Sequence, residues 1–198
     1  MKSQQKDSEF TLNIEEINKL INSSKNMRDK CIIESLYYAG MRRFEVAKMI
    51  IGDIDFERGR IRVIGKGGKL AIIPVGALFP QYMTDLKFFI GKRVEGPVFL
   101  NNRKGQMNIS RINQLLDETA KIAHITNPNP KKKHVNPHIL RHSIARHLKR
   151  LRFPLEYIQK YLRHSSMQTT ADEYGTLSIE EMEQISNQSN SVSFKQLQ

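Results

Sequence analysis

The sequence predicts a mixed α+β domain, mainly α-helical, with a small three-stranded antiparallel sheet. Two patterns point there. Apolar residues recur at helical spacing on both sides of residues 53–75, and inside that stretch they become β-branched or aromatic and are broken by glycine-bearing turns. Size and composition agree: 198 residues with 39% apolar content suffice for one domain with a sizeable core. That fraction is too high for a disordered tail, and no run approaches the ~20 apolar residues of a membrane span.

Taken in order, the spacing predicts a helix from Thr11 to Ser23, with Ile14, Ile17, Leu20 and Ile21 as its apolar stripe. Asn13 is its natural cap, and Glu16 three residues on completes a capping box. A second helix is expected from Met27 to Ala39, stopped by Gly40, and a short third one starts near Arg42. Three strands follow, Asp53–Glu57, Arg60–Ile64 and Lys69–Pro74, joined at Arg58-Gly59 and Gly65-Lys66-Gly67-Gly68. Helices return at Gly76–Phe89 and Asn108–Ala123. The stretch Asn127-Pro128-Asn129-Pro130-Lys131-Lys132-Lys133 reads as a basic loop. Asn136-Pro137 fits an N-cap followed by Pro at the first helical position, opening a helix to Leu151. Helices at Pro154–Leu162 and Met167–Tyr174 come next. A last one from Ser178 carries a capping box with Glu181, before an Asn/Ser/Gln-rich stretch expected to fray.

Charge narrows the function classes. Lys and Arg number 32 against 20 Asp and Glu, a net +12, which points to a polyanionic partner. The surplus is concentrated: residues 126–163 hold ten Lys/Arg and only Glu156 as an acid, a net +9. From Ser165 to Gln198 five acids face one Lys, a net −4. The single cysteine, Cys31, permits no internal disulfide and suits a reducing compartment. Met1 to Asp7 shows no apolar segment of the kind a secretory signal needs. Secreted, membrane and zinc-finger readings are disfavoured, and a cytoplasmic protein, nucleoid-associated if prokaryotic, is expected.

The helix from Pro137 carries the clearest chemistry. At about 100° per residue, Leu140, Ile144 and Leu151 share a face expected to be buried. His138, Arg141 and Ala145 cluster to one side, a surface that a phosphate could approach closely. A solvated basic face is the competing reading of this helix alone. His134, His138 and His142 are spaced for a metal helix, but Pro137 separates His134 from the helix and Ile139 stands where a metalloprotease has Glu. Arg141 would also set a fixed positive charge beside the metal, so no metal is expected.

Pro137-His138-Ile139-Leu140-Arg141-His142-Ser143 resembles the His-x-x-Arg box of the tyrosine recombinases, the family of lambda integrase, Cre and XerC/XerD. Further boxes resemble the family's in the same order. Gly40-Met41-Arg42-Arg43-Phe44-Glu45 matches the box of the first catalytic arginine, and Ile64-Gly65-Lys66-Gly67-Gly68-Lys69 the hairpin of the catalytic lysine. Leu162-Arg163-His164-Ser165-Ser166, then Thr169-Thr170 and Tyr174, match the final box. Each box is weak alone; six positions in order, over residues 11 to 185, are a strong joint signal.

The resemblance implies the tyrosine recombinase catalytic-domain fold and a site of Arg42, Lys66, His138, Arg141, His164 and Tyr174. Tyr174 would be the nucleophile, cutting a DNA phosphodiester to leave a 3′-phosphotyrosyl bond and a free 5′-hydroxyl. Two guanidinium forks, Arg42 and Arg141, suit the charge that builds on the non-bridging oxygens. A tyrosine with a reference pKa of ~10 needs a nearby base and a positive environment, which His138 helps supply. Lys66 would protonate the departing 5′-oxygen, with Lys69 as its rival, and His164 would hydrogen-bond the phosphate. Arg43 competes with Arg42, although Glu45 at i+3 is placed to orient Arg42. Lys131, Lys132, Lys133, Arg146 and Arg163 are expected DNA contacts. The covalent link keeps the bond energy, so no cofactor is expected, neither ATP nor metal.

The expected organisation is a flexible arm at 1–10, a catalytic domain at 11–177, and a C-terminal helix and frayed tail at 178–198. The tail is a candidate contact to a neighbouring protomer, and a homo-tetramer on two double-stranded DNA sites is the expected assembly. Two departures from the family stand out: Arg163 occupies a position usually held by Gly, and only about ten residues precede the first helix. The chain therefore reads as a minimal recombinase or the catalytic domain of a longer one. A type IB topoisomerase, or a DNA-binding regulator that kept the fold and lost catalysis, are the rival readings.

Overall fold

The computed structural model describes residues 10–64, 68, 70–101, 103 and 105–163. The expected N-terminal arm lies almost wholly outside them, as do the expected helices at Met167–Tyr174 and from Ser178. Eight helices and one small sheet make up the described part: α1 (Ile14–Asn22), α2 (Met27–Tyr37), α3 (Arg43–Lys48), β1 (Ile54–Asp55), β2 (Arg60–Ile64), β3 (Leu70–Ile73), α4 (Val75–Leu78), α5 (Pro80–Ile90), α6 (Ile109–Ile122), α7 (Pro137–Arg150) and α8 (Leu155–Leu162).

Local chemistry sets most boundaries. Asn13 caps α1 by accepting from the Glu16 amide at 2.8 Å, while the Glu16 carboxylate accepts from the Asn13 amide at 2.7 Å. Asn136 accepts from the His138 amide at 3.0 Å and Pro137 fills the first turn of α7. After α2 the chain turns through Gly40 at φ +53°, where a Cβ would sit 2.6 Å from Leu162 Cδ2. Only glycine satisfies both the backbone angle and that packing.

The sheet runs β1-β2-β3, antiparallel throughout. Ile54 pairs with Ile61, and Ile61 in turn with Ile73. Alternation buries Ile61 and Val63 on β2 and turns Arg60, Arg62 and Ile64 outward. β1 is shorter than the sequence predicts, because Ile51–Asp53 coil into a 3-10 turn and the Asp55 carboxylate accepts from the Arg58 amide at 2.9 Å to close the next turn.

Three expectations are corrected. The helix expected at Gly76–Phe89 is two helices, since Pro80 drives Phe79 out of the α region (φ −133°, ψ 65°). Leu151 is not on the buried face of α7: it caps the helix and is 68% exposed. Arg141 and Ala145 are not on an open face either; both are buried, as α7 packs against α2 on one side and α8 on the other. Leu140, Ile144 and Leu148 anchor the core there. Ser143 Oγ accepts from the Leu12 amide at 2.9 Å, and Tyr37 Oη lies 2.7 Å from His147 Nδ1. These contacts fix the rotation of α7, and with it the aim of Arg141.

Candidate active site

The site is built where the ends of α2, α3, α7 and α8 meet. Arg141, one turn into α7, buries its guanidinium against two main-chain carbonyls: Nη1 donates to Gly40 O and Nη2 to Leu162 O. These two carbonyl acceptors hold the fork in one orientation. α8 is pinned in the required place because Tyr161 Oη donates to Tyr38 O at 2.6 Å.

Arg42 stands at the N-cap of α3 in an extended conformation. Glu45, three residues on, reaches back: Oε2 accepts from the Arg42 amide at 2.7 Å and Oε1 from Arg42 Nη1 at 3.2 Å. The Glu45 side chain is fully buried and that of Arg42 is 28% exposed, so the guanidinium is tethered on one side and open on the other. Arg43 is exposed on the other flank of α3.

Arg163 was the sequence-expected DNA contact that the structure places differently. Its side chain is only 7% exposed, and Nη2 donates to Glu45 Oε2 at 2.7 Å and to Gly40 O at 3.2 Å. Nη1 donates to Tyr161 O at 2.9 Å. The guanidinium therefore points into the protein, and burial lowers its pKa against the pull of Glu45.

His138 is exposed on the first turn of α7. Desolvation, followed by the positive charges of Arg141, Arg43, Arg42 and Lys132, holds its pKa below the ordinary histidine value. An imidazole kept neutral near pH 7 is a competent proton acceptor. Beside it, a cleft of about 270 Å³ is lined by Arg43, Lys132, His138 and His142 among others. A second cleft, of about 490 Å³, lies on the opposite flank of α3 and reaches Glu45, Lys48, Arg62 and Gly68.

The basic loop before α7 has a defined shape. Asn127 and Asn129 are buried and organise it: Asn127 Oδ1 accepts from the Asn129 amide at 2.8 Å, and Asn129 Oδ1 from the Lys131 amide at 3.0 Å. Asn127 Nδ2 donates to His134 O at 2.6 Å. Lys131, Lys132 and Lys133 project from it, exposed, and Arg146 lies half-buried on α7. Sequence reasoning missed the two Asn scaffolds, although the repeated Asn-Pro signalled them. His134 pairs with Asp117 at 3.0 Å rather than with His138. Among the described residues no group of three His, Cys, Asp or Glu is placed to hold a metal ion, and no helix is long and apolar enough to cross a membrane. Lys66, Lys69, His164 and Tyr174 lie outside the described residues.

Comparison with known proteins converges on the same region. The model of the phage integrase family matches residues 11–181. Tyrosine recombinase XerC of Corynebacterium glutamicum is 33% identical over 151 residues, covering 75% of this chain and 47% of that protein. Tyrosine recombinase XerD of Halalkalibacterium halodurans is 31% identical over 169 residues, covering 80% and 54%. The chain thus spans about half the length of the curated relatives it matches. Among solved structures, that of XerA recombinase superposes with a TM-score of 0.73 at 26% identity, over 90% of this chain and 62% of that one.

Proposed function

Because the chain belongs to the phage integrase family, we propose that it carries the catalytic domain of a site-specific recombinase that cuts and rejoins double-stranded DNA. The observation that carries this reading is the placing of two guanidinium groups at one junction from two helices, Arg42 tethered to Glu45 yet partly open and Arg141 fixed on the Gly40 and Leu162 carbonyls. Such a junction suits an anion, and a phosphodiester in its transition state presents two non-bridging oxygens with growing charge. Each guanidinium fork offers paired donors to them.

In the proposed reaction the Tyr174 hydroxyl oxygen bonds to the scissile phosphorus as the bond to the 5′-oxygen breaks. The tyrosyl proton leaves toward a base, for which neutral His138 is the candidate. The departing 5′-oxygen takes a proton from Lys66, or from its rival Lys69. His164 donates to a phosphate oxygen. Rejoining is the reverse, with a 5′-hydroxyl attacking the phosphotyrosyl bond, so the two steps balance without ATP. Lys131, Lys132 and Lys133 hold flanking phosphates, and affinity for DNA of any sequence falls steeply with salt. Assembly as a tetramer on two sites, with residues 178–198 contacting a neighbouring protomer, completes the proposal.

The test uses radiolabelled, nicked duplex DNA from around the protein's own gene, with wild type and Tyr174→Phe side by side. A denaturation-resistant protein–DNA adduct is expected with wild type only. Tight binding to this DNA without any adduct would replace the reading with a DNA-binding regulator. Relaxation of arbitrary supercoiled plasmid without recombinant products would replace it with a topoisomerase.

A further inference from the structure

Arg163 sits at the end of α8 at φ +57°, ψ +43°, the left-handed region that glycine enters freely and other residues only under strain. It also buries a guanidinium whose Nε finds no hydrogen-bond partner among the described residues. A small residue would avoid both costs, and glycine is the residue that the resembling motif has here. What the arginine gains is visible in its contacts. Nη2 bonds both the Glu45 carboxylate that tethers Arg42 and the Gly40 carbonyl that holds Arg141. One side chain thus links the supports of both site arginines.

Charge explains why the link matters. Glu45 is fully buried, and with Arg42 as its only cation the pair would be neutral and the carboxylate would compete with a phosphate for the guanidinium. With Arg163 on the other oxygen of that carboxylate, Oε2, two cations share one anion and a full positive charge is left over. Of the two guanidinium groups only that of Arg42 is partly open, so the surplus faces outward through Arg42.

We propose that Arg163 is a positioning residue for DNA cleavage: it neutralises Glu45 so that Arg42 keeps its charge for the scissile phosphate. The inference rests on the recombinase reading above. Its test compares wild type, Arg163→Gly and Arg163→Lys, each also in a Glu45→Gln background, on the nicked duplex. The readouts are the rate of covalent adduct formation at saturating DNA and the Kd from mobility shift. Arg163→Gly relieves the backbone, so a thermal melt checks that it folds.

The expected result is an adduct rate at least tenfold lower in Arg163→Gly with Kd within about twofold, and recovery of most of the rate in Arg163→Lys. In the Glu45→Gln background, where no carboxylate charge needs neutralising, Arg163→Gly should cost less than threefold. A rate equal to wild type, or the same fold-loss in both backgrounds, would overturn the proposal. Absence of an adduct in wild type counts instead against the recombinase reading. In that case the arginine Nε–H spectrum of isotope-labelled protein decides the arrangement. An Arg42 signal unchanged between wild type and Arg163→Gly would show that Arg163 does not act on it.

Discussion

Two buried polar clusters in this molecule resolve an excess of charge in opposite ways. Between α3, α7 and α8, Arg42 and Arg163 share the buried carboxylate of Glu45, and Arg141 shares the Gly40 carbonyl with Arg163. Between α2 and α5, Lys30 faces two carboxylates, lying 2.5 Å from Asp85 and 3.8 Å from Glu34. The second cluster settles its surplus with a proton. Burial, and then the charge of Asp85, push the Glu34 carboxyl up to about 8, so that it is neutral at pH 7. Guanidinium groups have no such escape at any pH a protein meets. The first cluster keeps its charge at every such pH, as the proposed phosphate contact requires, whereas the second stores only a pH-dependent stability.

The hardest blow to this contrast is Arg141→Ala. Loss of the fork proposed to hold the phosphate should slow adduct formation by the folded fraction by about 10²–10³-fold, and melting falls as well, since the Gly40 and Leu162 carbonyls are left buried without their donor. Lys30→Met should lower stability alone. Removing the one cation of the acidic cluster should cost about 2 kcal/mol in denaturant unfolding, below the value for fully buried pairs because Lys30 is 30% exposed. Adduct formation by the folded fraction should be unchanged.

Gly40→Ala probes the site from the backbone. An alanine at φ +53° costs about 1–2 kcal/mol and must displace Leu162. Because the Gly40 carbonyl serves both Arg141 and Arg163, the adduct rate should fall along with the melting temperature.

Glu34→Gln sharpens the comparison through pH. The folded pKa of about 8 lies above the unfolded carboxyl value near 4.5, so the folded state holds a proton that the unfolded state has lost between those two values. Wild-type stability is therefore eroded as pH rises from 4.5 to 8, by at most about 1.4 kcal/mol per pH unit. His138 and His147, whose pKa values are lowered, act with the opposite sign below pH 6.5. The difference between wild type and Glu34→Gln cancels them, and the variant should gain stability relative to wild type across that window. A constant difference would show that Glu34 is ionised in the fold.

Much of the architecture was legible because its causes are local. The Asn13–Glu16 box, the turn at Gly40, the Asn136-Pro137 start of α7 and the alternation of β2 each depend on residues within one turn or one strand. What could not be read depends on distant chain. A helical wheel places Arg141 beside His138, but its burial comes from α8, whose Leu162 carbonyl is 21 residues away. Leu151 looked buried because the wheel extends past the point where α7 ends. Arg163 reads as one more cation in a basic block. Its inward turn follows from the left-handed C-cap of α8 and a carboxylate 118 residues earlier in the chain. Glu45 was legible for the converse reason, since it lies three residues from the arginine it holds.

In the proposed reaction Arg42 and Arg141 converge on one phosphate, with Glu45 occupied from behind by Arg163. A crystal structure of Tyr174→Phe bound to the nicked duplex tests it directly. The account predicts guanidinium nitrogens of both arginines within about 3 Å of non-bridging oxygens of the same phosphate, with Arg163 still on Glu45. A scissile phosphate seated on the Lys131–Lys133 loop instead, with Arg42 bonded only to Glu45, would contradict it.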